Sequence, residues 1–178
     1  MIPNMKWFER SFPMGLPAWM FPNILERLRG TPARLDDRVA AIPNKYLGVR
    51  VADKWSIQEN IGHLLDLEPL WSGRLEDLLS GAEKLRPTDL ANKATDIAEH
   101  NSKAIEVLLR DFRKARTAFM DKLQALREED LAKTALHPRL NKPMTILDKM
   151  FFVAEHDDHH LARMSAILRE CCRTTGSS

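Results

Sequence analysis

The segment FFVAEHDDHHLARM (151–164) places three histidines and two aspartates within five positions of a run that is otherwise mostly apolar or aliphatic. At about 100° per residue in a helix, His156 and His160 lie about 40° apart on the apolar face, and His159 lies near its edge. Side chains four residues apart meet on a helix surface, so the first two imidazoles can share one metal ion. The spacing indicates a divalent metal site, and two unrelated histidines in a partly hydrated groove are the alternative.

A third ligand must come from elsewhere in the chain, where His63, His100 and His137 are available. His137 precedes a proline in a loop, and His100 lies near the start of a predicted helix, where a polar residue is unremarkable. His63 lies in WSIQENIGHLLD (55–66), two turns into a helix that otherwise forms core. Taken alone, His63 is better interpreted as a helix-edge histidine bonded to a backbone carbonyl or to water.

Three segments taken together resemble the DinB-like (YfiT-like) superfamily of metal-binding four-helix-bundle proteins: WSIQENIGHLLD, HPRLNKPM before the last helix, and VAEHDDHHL within it. The resemblance covers about residues 25–170. In that family one histidine on the second helix and an HxxxH pair on the fourth bind a divalent metal. The resemblance therefore implies that His63, His156 and His160 are the ligands. Imidazole suits zinc and nickel, which are the metals we expect.

The elements that must position these histidines are helices. A proline-rich, aromatic N-terminal extension occupies residues 1–30 together with the start of the first helix. Thr31 and Pro32 fit an N-cap followed by proline at the first helical position. This pattern predicts helices over 17–29 and 32–42, and the second could continue the first with a kink.

Two more helices follow from capping signals and apolar spacing. Ser56 and Glu59 form a capping box that predicts a helix running to about Ser80. Apolar residues at helical spacing then predict a long helix over about 96–126.

The last predicted helix begins after Thr145, an N-cap with Asp148 three positions on, and runs over 146–171. The segment 135–144 is predicted to be a loop, and no segment alternates convincingly as a strand. We therefore expect an all-α protein, a four-helix bundle over about 31–172 within a single domain spanning 1–178.

Composition excludes several classes of protein. The 27 basic and 25 acidic residues give a net charge of +2 without a long single-sign run, so we expect neither nucleic acid nor a membrane surface as a partner. No stretch approaches the roughly 18 apolar residues that a membrane span needs. The two cysteines, Cys171 and Cys172, are adjacent and form no disulfide framework, which predicts a reducing, cytoplasmic setting.

The partner that we expect is a small-molecule substrate. Bundles of the family resembled here are often dimeric, which implies a homodimer. The N-terminal extension is dense in aromatic residues, which could cover the bundle or form the dimer contact: Trp7, Phe8, Phe12, Trp19 and Phe21.

Three neutral imidazoles leave one or more metal positions open, which is typical of catalytic sites. The open position can deprotonate a thiol or lower the pKa of a water molecule. The resemblance implies the first route, a low-molecular-weight-thiol S-transferase or related isomerase that uses a thiol co-substrate such as bacillithiol, mycothiol or glutathione. The second route is a metal-dependent hydrolase. A non-catalytic, stress-related metal-binding module is the third hypothesis.

Several charged residues could assist these reactions. Arg163 or Arg74 could bind a carboxylate of the thiol or substrate, and a surface salt bridge is the alternative for either. Glu59 is the first candidate for proton transfer in a hydrolase, although it also serves the capping box. Asp66 and Asp157 could orient ligand histidines, or they could be solvated helix charges.

Overall fold

The computed structural model describes residues 5–52 and 54–175, and its helices form the predicted four-helix bundle. Residues 1–4 of the expected extension and residues 176–178 of the expected domain lie outside the described residues. The helices are α1 (Phe21–Ala40), α2 (Ile57–Leu79), α3 (Lys93–Ile97), α4 (Ile105–Gln124) and α5 (Ile146–Thr175). Helices α1 and α2 each pack against α4 and α5, so these four long helices enclose the core.

A small β-hairpin corrects the prediction of a plain loop over 135–144. Strands β1 (Thr134–Leu136) and β2 (Pro143–Thr145) pair antiparallel, with Ala135 opposite Met144. Asn141 turns the chain between them in the left-handed region, with φ of 51°. Strands of three residues are too short to show an alternating pattern, which is why the sequence did not reveal them. Single-turn 3₁₀ helices complete the described chain at Trp7–Glu9, Ala18–Met20, Asn44–Tyr46, His100–Ser102 and Glu128–Ala132.

Helix α1 is continuous, so the segments predicted as helices over 17–29 and 32–42 belong to one helix, which was the alternative prediction. Thr31 lies inside the helix, so its predicted N-cap role is wrong, and its hydroxyl donates to Asp157 at 2.8 Å. Pro32 has no amide hydrogen, so the carbonyl of Leu28 loses its helical donor. Arg116 of α4 donates to that carbonyl at 3.1 Å. A tertiary contact thus satisfies the carbonyl that the proline leaves free, and the helix continues.

The capping box of α2 is confirmed, and the predicted start of the long third helix is wrong. The Ser56 hydroxyl accepts from the amide of Glu59 at 3.0 Å, and the Glu59 carboxylate accepts from the amide of Ser56 at 2.8 Å. The predicted helix over 96–126 begins only at Ile105, because Glu99 adopts a left-handed conformation with φ of 49° and Lys103 and Ala104 are extended. This interruption lets His100 turn into the bundle, where it is buried.

The start of α5 agrees with the prediction, and its end differs. Thr145 caps the helix as predicted, since its hydroxyl accepts from the amide of Asp148 at 3.0 Å. The Asp148 carboxylate also accepts from the amides of Gly15 and Leu16, at 3.1 Å and 3.0 Å. These bonds tie the N-terminal extension to the start of α5. The helix runs to Thr175, beyond its predicted end at residue 171.

The N-terminal extension covers part of the bundle core. The ring of Phe152 on α5 lies 5.0 Å from that of Trp7 and 4.8 Å from that of Phe12, measured between centroids. Burying each such aromatic side chain contributes about 1.5–3 kcal/mol. Trp19 is 71% exposed, so not every aromatic residue of the extension serves this cover. Across residues 5–52 and 54–175, no helix combines the length and apolar character that crossing a membrane requires.

Candidate metal centre

Three histidines from two helices converge inside the bundle, as predicted. His63 of α2 faces His156 and His160 of α5, and each residue is at most 5% exposed. The Nε2 atoms of His156 and His160 lie 3.2 Å apart. One ring nitrogen from each of the three residues lies within 4.8 Å of the other two. The packing of α2 against α5 therefore supplies the third imidazole that the HxxxH pair lacks.

A chain of hydrogen bonds fixes the orientation of the His63 ring. The Thr95 hydroxyl lies 2.8 Å from Asp66 Oδ2 and 3.0 Å from His63 Nδ1. Its single proton goes to the carboxylate, so Thr95 Oγ1 accepts from His63 Nδ1–H. His100 Nε2 also contacts Asp66 Oδ2, at 2.9 Å. This arrangement leaves the Nε2 lone pair of His63 free to bind a metal.

Asn60 does the same for His160. His160 Nδ1 lies 2.8 Å from Asn60 Oδ1, and the amide nitrogen of Asn60 donates to the Ser56 carbonyl at 2.7 Å. The amide oxygen is therefore the acceptor, and Nδ1 of His160 carries the proton. His160 Nε2 then points to the same place as His156 Nε2, while Nδ1 of His156 is buried without a partner in the described structure.

Burial keeps these imidazoles neutral. It lowers the pKa of His63 to about 4, and it lowers the pKa of His156 and of His160 well below the usual value. Neutral imidazole is the form that coordinates a metal ion. The donor set, three converging neutral nitrogens, therefore suits a divalent transition metal.

The histidines line one end of a cavity of about 320 Å³. His159 and Arg163 also line this end, although His159 lies outside the three-histidine group. His159 Nδ1 is buried without a partner in the described structure, and burial lowers its pKa to about 4. Burial also lowers the pKa of Arg163. Aromatic rings form much of the wall: Trp7, Phe8, Trp55, Trp71 and Phe152.

The predicted acidic residues have three different surroundings. The Glu59 carboxylate accepts from Arg50 as well as from the helix cap, and it is not among the residues that line the cavity. Asp66 contacts Thr95 rather than a ligand ring, so it acts on His63 through that hydroxyl. Asp157 is neither a solvated charge nor a partner of the histidines, because it is fully buried against Arg116.

Sequence reasoning missed most of the supporting residues. Asn60 is fully buried on α2, one turn before Leu64, and a polar residue on a buried helix face was the available signal. Thr95 lies in the short helix α3 and carries no such signal. His100 and His137, considered as ligands, lie outside the three-histidine group.

Comparison with known structures agrees with this architecture. The structure of YfiT from Bacillus subtilis, described as a probable metal-dependent hydrolase with an unusual four-helix bundle topology, matches with a TM-score of 0.80. The match covers 92% of this chain and 94% of that chain at 16% sequence identity. The mycothiol-dependent maleylpyruvate isomerase matches with a TM-score of 0.63 and 13% identity, over 89% of this chain and 62% of that chain. At these identities the likeness is one of fold.

A search of curated protein sequences found no match. The sequence model of the DinB superfamily, by contrast, matches residues 27–164. This range contains all three histidines and the four long helices, except for the start of α1 and the end of α5. This range is more than half of the chain, and it confirms the resemblance drawn from the sequence motifs. The chain therefore belongs to the DinB superfamily.

Proposed function

We propose that this protein is a divalent-metal-dependent enzyme in which His63, His156 and His160 hold the ion. The convergence of three buried ring nitrogens within 4.8 Å supports this proposal. Three protein ligands leave a position for a reactant, as in catalytic zinc sites. Zinc and nickel are the metals that we propose, because imidazole suits both.

The reaction that we propose is transfer or isomerisation through a low-molecular-weight thiol. A bound divalent ion supplies Lewis acidity that lowers the pKa of a thiol or of water. Among the described residues that line the cavity, Asp89 is the sole carboxylate, and its oxygens accept from the amides of Ala91 and Lys93. A divalent ion can deprotonate a bound thiol outright, whereas it lowers the pKa of bound water only to about 7, so hydrolysis gains more from a side chain that moves protons. The scarcity of carboxylates in this wall, where the single one already accepts two amide hydrogen bonds, is the observation that favours the thiol.

Arg163 is the residue that we propose to bind the anionic group of the thiol or of the substrate at the histidine end. Its positive charge contributes to the lowered pKa of His63, of His159 and of His160, so it lies near all three. A guanidinium can bind a carboxylate through two parallel hydrogen bonds. The cavity volume of about 320 Å³ lies within the range of sites that bind one small molecule.

Hydrolysis is the second candidate, and His159 favours it. This histidine lines the cavity with an unpartnered Nδ1, so it could accept a proton from an attacking water molecule. Glu59 was the sequence-based candidate for that task. Its carboxylate is held by Ser56 and Arg50, and its catalytic role stays a prediction.

The experiment that separates these reactions begins with protein reconstituted with zinc or with nickel. We expect metal-dependent loss of a thiol together with monochlorobimane, using glutathione, bacillithiol and mycothiol in turn. Hydrolysis of p-nitrophenyl acetate without any thiol would instead favour the second candidate. His63→Ala is the inactive comparison, and Glu59→Gln tests the proton-transfer role. Inertness of the metal-loaded protein in both assays would contradict an enzymatic function.

A further inference from the structure

The cavity has a second end, where cationic side chains gather. Arg74 of α2 and Arg139 of the hairpin line this part of the wall. Lys149 of α5 lies against the rings of Trp71 and Phe152, with Nζ 4.0 Å and 4.5 Å from their centroids. Arg74 is 2% exposed and Lys149 is fully buried, so two of the three charges are out of contact with water.

These cations have unused hydrogen-bond donors. Arg74 Nη2, Arg139 Nη2 and Lys149 Nζ are buried without a partner in the described structure. Arg74 donates through Nε to the backbone carbonyl of Arg86 at 3.0 Å, and its Nη1 lies 3.4 Å from His137 Nε2. Within residues 5–52 and 54–175, none of the three cations forms an ion pair with a carboxylate. These three donor atoms thus have no acceptor among the described residues.

A buried charge without a counterion is unfavourable, and a protein normally pairs it. Contact of Lys149 with two aromatic faces compensates only part of that cost. Burial and the nearby charges of Arg74 and Arg139 lower the pKa of Lys149 well below its usual value. An anion at this place would relieve the repulsion and would occupy the free donors.

The cationic end lies in line with the histidine end. Arg74 follows His63 by eleven residues, which places it on the same helix face about 16 Å along the axis. Lys149 precedes His156 by seven residues, which places it on the same face of α5 about 10 Å away. Trp71 and Phe152 line the cavity and contact Lys149, and the ring of Trp71 also lies 5.5 Å from that of His156. The cavity therefore has the three histidines at one end, an aromatic wall, and cationic side chains at the other end.

We propose that Arg74 and Arg139 bind the terminal oxyanion of the substrate, with the Lys149 amine behind them. The oxyanion is a carboxylate or a phosphate, since a guanidinium donates two parallel hydrogen bonds to either. The rest of the substrate is apolar or aromatic and reaches toward the histidines. This assignment rests on the proposed function for the reacting end, but the anion subsite itself requires no metal.

The test is calorimetric titration of the metal-free, full-length chain with phenylacetate, phenyl phosphate and the neutral phenylacetamide. We expect one of the anions to bind at least about tenfold more tightly than the amide, because a charged hydrogen bond is lost in the amide. The preferred anion identifies the oxyanion as carboxylate or phosphate. Equal affinity for all three probes, or binding of none, would overturn the proposal.

Three arginine variants locate the subsite. Arg74→Met and Arg139→Met should each weaken binding of the preferred anion by about tenfold or more. Arg110→Met removes an exposed arginine of α4 outside the cavity lining and should leave that affinity unchanged. Unchanged affinity in both cavity variants would refute the assignment. Since Arg74 is buried, circular dichroism checks its variant, and the less buried Arg139 keeps the test valid if that variant does not fold.

The experiments distinguish failure of the proposed enzymatic function from failure of the anion subsite. His63→Ala should retain the anion affinity of the metal-free protein, because the subsite lies at the other end of the cavity. Retained anion binding in a protein inert in the thiol and ester assays would leave the subsite standing and refute the enzyme. Loss of anion binding in His63→Ala would instead overturn the subsite.

Discussion

Two buried arginines of this bundle have opposite surroundings. Arg116 is 1% exposed and donates to Glu68 Oε1 at 3.0 Å and 2.6 Å, to Asp157 and to the carbonyl of Leu28. Burial opposes its charge, but the two carboxylates outweigh burial and raise its pKa. Arg74 is 2% exposed, and burial lowers its pKa to about 10, with no ion pair among the residues described. Every nitrogen of the first guanidinium has an acceptor within the fold, whereas the second guanidinium borders the cavity with a free donor.

The same contrast separates neighbouring residues on α5. His156 faces the cavity, whereas Asp157, the next residue, turns about 100° toward α1 and α4 and binds Arg116 and Thr31. Each polar group is at most 5% exposed. Burial alone therefore does not identify a functional residue in this protein. Unused hydrogen-bonding capacity next to a cavity distinguishes the site from the structural ion network.

The largest effect should come from breaking the ion network. Arg116→Met leaves Glu68 and Asp157 as buried carboxylates without their cation, and we expect a loss of about 3–5 kcal/mol in the free energy of unfolding. Urea denaturation measures it. Arg110→Met, at an exposed position, should change stability by less than about 0.5 kcal/mol. A loss below about 1 kcal/mol in Arg116→Met would contradict the structural role of the network.

Metal binding should stabilise the protein through the three-histidine site and not through the ion pairs of Arg116. Zinc at a free concentration a hundredfold above its dissociation constant should raise the free energy of unfolding by about 2.7 kcal/mol. The increase should vanish in His63→Ala and in His160→Ala. Because the bundle has its own apolar core, protein treated with a chelator should keep its helical circular dichroism signal. Unfolding on chelation would show that the metal is required for the fold.

Orientation of His63 offers a finer test. Thr95→Val keeps the side-chain shape but removes the acceptor for His63 Nδ1–H, and the zinc affinity should fall by about 10–100-fold. Competition with a chromophoric chelator measures the affinity. Thr134→Val, at an exposed position of β1, is the matched control and should bind zinc as the wild type does. Equal affinity in both variants would mean that the hydrogen bond has no influence on the metal.

A smaller effect on stability is expected at the second buried arginine than at Arg116. Arg74→Met removes a desolvated cation and leaves no carboxylate unpaired, so the free energy of unfolding should change by less than about 1 kcal/mol in either direction. Urea denaturation beside Arg116→Met compares the two sites directly. A loss as large as that of Arg116→Met would show that Arg74 stabilises the fold, and the contrast between the two arginines would disappear.

Local signals predicted the parts of the fold that depend on neighbours in sequence. The caps at Ser56 and Thr145 are confirmed. They could be predicted because each joins residues three positions apart. Prediction failed where contacts between residues far apart in the sequence determine the local structure. Helix α1 passes through Pro32 because Arg116 of another helix binds the freed carbonyl, and the long third helix starts late because Glu99 breaks it where His100 turns into the core.

The sequence by itself placed His156 and His160 on the apolar face of one helix, because residue spacing along a helix fixes the face, and the family resemblance added His63. Only the tertiary structure decided which buried charges are paired. Glu68 and Asp157 lie 48 and 41 residues from Arg116 and meet it only when the helices pack. Arg74 has the same chemical type and nearly the same burial, but packing brings it to a cavity instead of to a carboxylate. Hydrogen bonding acts over a few ångströms, so the partners of a buried group depend on the packed fold.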